Sequence, residues 1–258
     1  MWRPLSLAAF LSAAIAQTQD YSTFEPLFRQ AVSAREKTLE LDDPKLADSL
    51  RNLGLLLGNE GKYLESELLL RRALEVDEKA FGVHDVRVAP DVENLAAALL
   101  TLNRPGDAEP LYRRALAIKE LVLGPTDLEL APTLLRLADL TGSEPLYRRA
   151  LAIQEKRLGP ASQKVGVTLA SLGVLLENQG DLRSAEGFYR RALAVDEKAF
   201  GPQHPEVAIA LSNLAGVMAE RNQLLEARRL YERALSIALK TLGEDSTFTQ
   251  QLQRQLGP

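Results

Sequence analysis

His84 and His204 are the only histidines in the chain, and cysteine is absent. A histidine-dependent acid–base step would have to run through one of those two imidazoles. Composition alone rules out disulfides, thiolate nucleophiles and a three-histidine metal site. Each histidine follows a glycine by two or three residues, in Gly82-Val83-His84 and Gly201-Pro202-Gln203-His204. They read as a helix-start residue and a turn residue, with no catalytic partner at an arguable spacing. The 35 acidic side chains are spread along the chain rather than paired, and against 31 basic ones they give a net charge of -4. That balance offers no general attraction to nucleic acid or to an anionic membrane. A glycine-rich phosphate loop, metal-ligand spacing and a basic run interleaved with aromatics are all missing from the sequence. No catalytic residue, metal ligand or cofactor is expected.

The chemistry that does recur is basic and periodic. Arg71-Arg72-Ala73-Leu74 returns at Arg113 to Leu116, Arg148 to Leu151 and Arg190 to Leu193, with Glu232-Arg233-Ala234-Leu235 closing the series and Arg29-Gln30-Ala31-Val32 opening it. The alanines stand at 31, 73, 115, 150, 192 and 234, so the steps are 42, 42, 35, 42 and 42. A glutamate precedes each double arginine by four residues (Glu67, Glu109, Glu144, Glu186), the favoured i,i+4 order on a helix. The pairs therefore read as a solvated face, with an anion-binding strip as the sharper alternative. Tyr112, Tyr147, Tyr189 and Tyr231 keep the same register and read as core rather than as base-stacking platforms.

A fixed period of this size means stacked supersecondary units. Leu46, Leu50, Leu53 and Leu57 form one apolar helix face, opened by Asp43 as N-cap and Pro44 in the first turn. After a turn at Gly61, a second helix carries Leu64, Leu70, Ala73, Leu74, Val76 and Phe81 and stops at Gly82, in the slot for a left-handed residue. Small residues recur where helices must approach closely, at Gly54, Ala96, Ala138, Gly173 and Ala215.

Glu109 to Ile118, its copy Glu144 to Ile153, and the run Phe200 to Ala208 followed by Leu211-Ser212-Asn213-Leu214-Ala215 resemble the tetratricopeptide repeat (TPR) family, in the 42-residue form of kinesin light chains. The resemblance covers about residues 23 to 256. It implies an all-α, right-handed superhelical α-solenoid of antiparallel helix pairs that acts as a non-enzymatic protein-interaction module. Five repeats occupy residues 43–243. The third is seven residues short between Ala138 and Glu144, which reads as one turn lost from each helix, either neutral or a local notch. Residues 17–42 hold a linker and a half-repeat helix with Phe24, Leu27, Phe28, Ala31 and Val32 as its buried stripe. Residues 244–258 hold a capping helix fragment with Phe248, Leu252 and Leu256.

The resemblance also implies that the first helices line a concave groove, and that the residue before the inner leucine hydrogen-bonds a bound peptide. Here that residue is Asn52, Asn94 or Asn213, with Arg136 and Ser171 in repeats three and four. An amide offers donor and acceptor together, which suits the backbone of an extended segment. The alternative is that these amides face solvent or brace the neighbouring repeat. Further groove candidates are Arg51, Leu55, Asn59, Asn178, Glu93, Leu135, Val174 and Glu220. Their charge is mixed, so a strongly basic groove for acidic peptides is not expected. A structural subunit docking by its convex face or its ends is the alternative function.

Residues 1–16, MWRPLSLAAFLSAAIA, have the layout of a secretory signal peptide: one early arginine, a short apolar run and a small-x-small end. The expected location is the bacterial periplasm or the exterior, with no integral span after cleavage. An uncleaved N-terminal helix in a cytoplasmic protein is the alternative. Cleavage after Ala16 would remove Trp2, the only tryptophan.

Overall fold

The computed structural model describes residues 24–38 and 42–257. The expected signal peptide lies outside the described residues. Among those residues the regular structure is helical throughout, with no strand. The chain divides into two compact units at Thr141/Gly142. The N-terminal unit holds α1 (Glu25–Thr38), the pair α2 (Pro44–Asn59) and α3 (Tyr63–Phe81), a 3-10 turn at Val86–Val88, the pair α4 (Ala89–Thr101) and α5 (Pro105–Leu123), and α6 (Leu130–Thr141). The C-terminal unit holds α7 (Glu144–Leu158), the pairs α8 (Gln163–Asn178) with α9 (Leu182–Phe200) and α10 (Pro205–Glu220) with α11 (Leu224–Leu242), and α12 (Thr247–Leu256).

The helices form where apolar period and caps agree. Asp43 accepts a hydrogen bond from the Lys45 amide at 2.8 Å and opens α2. His204 does the same for α10: its Nδ1 accepts from the Glu206 amide at 3.2 Å while its ring stacks on Phe200. Second helices stop at glycines whose φ is positive, as the sequence predicts, but whose ψ is extended: Gly82 has φ 93° and ψ 149°, Gly201 φ 85° and ψ 157°. That region is essentially closed to residues with a Cβ. The short turns inside pairs use Gly61 and Gly180, or Asn103 (φ 57°) and Asn222 (φ 62°), asparagine being the next most tolerant of left-handed backbone.

In the N-terminal unit Leu46, Leu50, Leu53 and Leu57 are buried together with Val32, Ala73 and Val76. In the C-terminal unit Val207, Leu211, Ala215, Tyr231, Ala234 and Ile237 pack with Phe248 and Leu252 of the capping helix. Tyr112, Tyr147, Tyr189 and Tyr231 are buried. Close approach explains the small residues: a Cβ on Gly173 would meet the Tyr189 ring at 2.5–2.9 Å, and one on Gly54 would meet Leu70 Cγ at 2.9 Å.

Three apolar expectations are corrected. Phe24 and Leu27 are exposed rather than buried, because no described element covers that side of α1. Leu64, at the start of α3, is exposed as well, since it falls outside the stripe set by Leu70, Ala73 and Leu74. The shortened repeat has helices of 12 and 15 residues in α6 and α7, against 16 and 19 in α8 and α9.

The first arginine of each double pairs with the glutamate four residues earlier, in Glu67–Arg71, Glu109–Arg113, Glu144–Arg148 and Glu186–Arg190. The second has a different task that the sequence reading missed. Arg72 reaches Glu36 at 2.7 Å, Arg114 reaches Glu78 at 2.5 Å, Arg233 reaches Glu197 at 2.6 Å, and Arg191 binds Glu155. Each of these links two successive second helices within one unit. Such half-exposed pairs are individually worth little.

Candidate interaction face

A 3.6-residue period puts positions i, i+3, i+4 and i+7 on one helix face. On α2 that face carries Asn52, Leu55 and Asn59, all exposed; on α4 it carries Asn94, half-buried, and Ala97; on α6 it carries Arg136, exposed, beside Leu135. In the C-terminal unit α8 presents Val167, Ser171, Val174 and Asn178, and α10 presents Asn213 and Glu220. Among the described residues, the side-chain amides of Asn52, Asn94, Asn178 and Asn213 make no intramolecular hydrogen bond. An asparagine that braced the neighbouring repeat would be bonded to it. These amides are instead left with donor and acceptor open.

Two other candidates are engaged inside the fold. The Arg51 guanidinium donates to Asp91 through Nε (2.5 Å) and Nη2 (3.0 Å), to Asp77 at 2.7 Å and to Asp48 at 2.8 Å. Asp91 is 0% and Asp77 3% exposed. Burial, then the hydrogen bond and charge of Asp91, push the Asp77 carboxyl up to about 7 against the pull of Arg51. Below that pH Asp77 holds a proton, and the trio of Arg51, Asp77 and Asp91 is close to neutral. Glu93 accepts from the Lys119 ammonium through both oxygens at 2.7 Å and from the Thr133 hydroxyl, and Lys119 also donates to Thr133 at 3.2 Å. Arg51 and Glu93 thus tie second helices to the first helices around them.

These clusters belong to a buried polar register that the sequence reading did not find. One position of successive second helices holds Arg35, Asp77, Lys119, Gln154 and Asp196. Arg35 donates to Ser49 Oγ at 2.5 Å, and Gln154 Oε1 accepts from Thr168 Oγ1 at 2.7 Å. The only available signal was position, because the residue type changes at every step. Tyr189 donates to Glu177 Oε2 at 2.6 Å, and burial with that bond holds its phenol above the usual range. Among the described residues no group of three or more His, Asp or Glu is placed to hold a metal ion. No described helix is long and apolar enough to cross a membrane.

The family model for the tetratricopeptide repeat matches residues 57–121, 126–198 and 172–240. No curated protein matches the chain. Among solved structures, BtubC (BKLC) from P. vanneervenii superposes with a TM-score of 0.75 at 21% identity, over 89% of this chain and 95% of that one. A variant of a Podosopora anserina putative kinesin light chain with nearly identical TPR-like repeats gives 0.69 at 20% identity, over 77% and 97%. YrrB, described as a TPR protein with an unusual peptide-binding site, gives 0.50 at 19%, over 81% and 93%. At these identities the likeness is one of fold.

Proposed function

The chain belongs to the tetratricopeptide repeat family, and from that premise we propose that its first helices form the surface on which a peptide or protein partner binds. Membership makes it a protein-interaction module in the general sense, and repeats of this family are typically non-catalytic. We read this one as non-enzymatic. The observation that carries the surface assignment is the open amides on the first helices of each unit, at Asn52 and Asn94 in the N-terminal unit and at Asn213 in the C-terminal unit, which no neighbouring repeat uses. An extended segment satisfies such amides through its own backbone N–H and C=O groups. YrrB, similar in fold, is a TPR protein with a peptide-binding site, which is consistent with this use. The test is an Asn94→Ala/Asn213→Ala double variant. It should keep its circular dichroism spectrum and melting behaviour and lose its partner; unchanged affinity would remove the assignment.

One observation favours a scaffold that docks through its second helices. Leu64 and Leu68, one turn apart on α3, are 69% and 61% exposed, and Leu224 and Leu225 open α11 in the same condition. Cross-links running from these leucines, with the first helices untouched, would support that reading. We also propose export to the periplasm or the exterior with removal of residues 1–16. The recovered protein should then have no tryptophan fluorescence, and emission from Trp2 would refute it.

A further inference from the structure

Asp77 and Asp196 stand at one register, each four residues after the repeat alanine of its second helix, Ala73 and Ala192. Around Asp77 the fold supplies its own cation: Arg51, two residues before the inner leucine Leu53, at 2.7 Å. The corresponding position before Leu172 is Ala170. Where the next repeat places Asp91 beside Asp77, the sequence around Asp196 has Ala210. The acid is present in both repeats and the arginine in only one of them. The Asp196 carboxylate lies against α8, where a Cβ on Gly166 would come within 3.0 Å of its Oδ1. Among the described residues no lysine or arginine pairs with it, and the charge it feels is that of another carboxylate, Glu206. Burial, then Glu206, raise the Asp196 carboxyl to about 6. At neutral pH it is therefore mostly an anion, half-buried and without a counterion.

The missing arginine leaves its place on the candidate interaction face. Val167, Ala170, Ser171 and Val174 share one face of α8 by helical spacing, and the two valines are 58% and 41% exposed. β-Branched apolar side chains left open on both sides of a small residue, beside an uncompensated carboxylate, make a surface of definite chemistry. We propose that the C-terminal unit binds an extended partner segment carrying a lysine or arginine next to apolar residues, with Asp196 receiving the cation in the space that Arg51 fills in the N-terminal unit and with Val167 and Val174 receiving the apolar side chains. This deepens the first-helix reading and rests on it. The charge-assisted bond selects the basic residue, and valine contact selects its neighbours.

The experiment is selection of a random dodecapeptide phage library on the full chain, followed by titration of the enriched peptides against three proteins. These are the wild type, Asp196→Asn and Ala170→Arg. The first variant removes the anion with little change in shape; the second restores the intramolecular cation of the N-terminal unit. Enriched peptides should carry Lys or Arg beside Val, Ile or Leu. Each variant should weaken them by about tenfold or more, as expected for the loss of a hydrogen bond to a charged group. Peptides stripped of their basic residue should bind all three proteins alike. Enriched peptides without a basic residue, or binding that both variants leave unchanged, would overturn this inference while leaving the first-helix reading in place. A library that yields no binder would overturn both.

Discussion

Replacing Arg51 with alanine should strand two carboxylates inside the N-terminal unit. Arg51 bonds Asp91 twice and Asp77 once, and both acids are almost fully removed from solvent. Deleting one partner of a buried ion pair costs about 3–5 kcal/mol. The guanidinium side chain is itself 21% exposed, so water can reach part of the vacated space, and a cost near about 3 kcal/mol is expected. Asp77 carries a proton up to about pH 7, so Asp91 bears most of the loss. The sign with pH follows. The folded pKa of Asp77 is raised, so its contribution is fully present below the ordinary carboxylate range of about 3.9 and is lost as pH rises through about 7. The wild type should therefore lose stability in α2 to α4 as pH rises from about 4 to about 7, the interval between the ordinary and the raised value, and Asp77→Asn should abolish this loss. Repeat arrays can unfold in segments, so urea titration followed by circular dichroism should be joined to amide hydrogen exchange of α2 to α4. An Arg51→Ala protein within about 1 kcal/mol of wild type, well below the range for a buried pair, would refute the reasoning. So would a pH slope that survives Asp77→Asn.

Other perturbations follow from the same packing. Gly173→Ala drives a methyl into the Tyr189 ring and should lower stability by about 1–3 kcal/mol, read as a drop in melting temperature. Gly187→Ala meets nothing within 4 Å and, in the interior of α9, should raise it by about 0.5–1 kcal/mol. Gly201→Ala places a Cβ at φ 85° and ψ 157° and should cost about 1–3 kcal/mol by the same measurement. Asp196→Asn should be more stable than wild type at pH 7.5, by about 1–2 kcal/mol after discounting for solvent. The raised Asp196 pKa means wild-type stability returns as pH falls through about 6, so the two proteins should converge near about pH 4, where ordinary carboxylates protonate.

The repeat register was legible because each turn of the array repeats the same physical demand. Leucine must fill the pair interior at Leu53 and Leu95, alanine must admit a close helix at Ala73 and Ala115, and glycine must end the second helix at Gly82 and Gly124. Where demand varies, the sequence says less. The register running Arg35, Asp77, Lys119, Gln154 and Asp196 changes residue type at every step, and where partners are present they differ from one step to the next. Arg51 looked like a groove residue because helical spacing places it on the face of Leu55, four residues on. Only the positions of Asp77 and Asp91, 26 and 40 residues away, reveal that it is engaged inside the fold. Phe24 and Leu27 misled for a related reason: periodicity marks the face of a helix that could be buried, whereas burial depends on which neighbour is there to cover it. The open amides at Asn52, Asn94 and Asn213 could be located from sequence, but whether a neighbouring repeat used them could not.

The most direct test of the first-helix surface places a photoreactive benzophenone amino acid at Leu55 and at Val174 on the first helices, and separately at Leu68 and at Leu224 on the second helices. Irradiation in the presence of a bound peptide or partner should join it to the first two positions and spare the last two. Cross-links confined to positions 68 and 224 would contradict the surface assignment and make the module a scaffold that docks by its second helices.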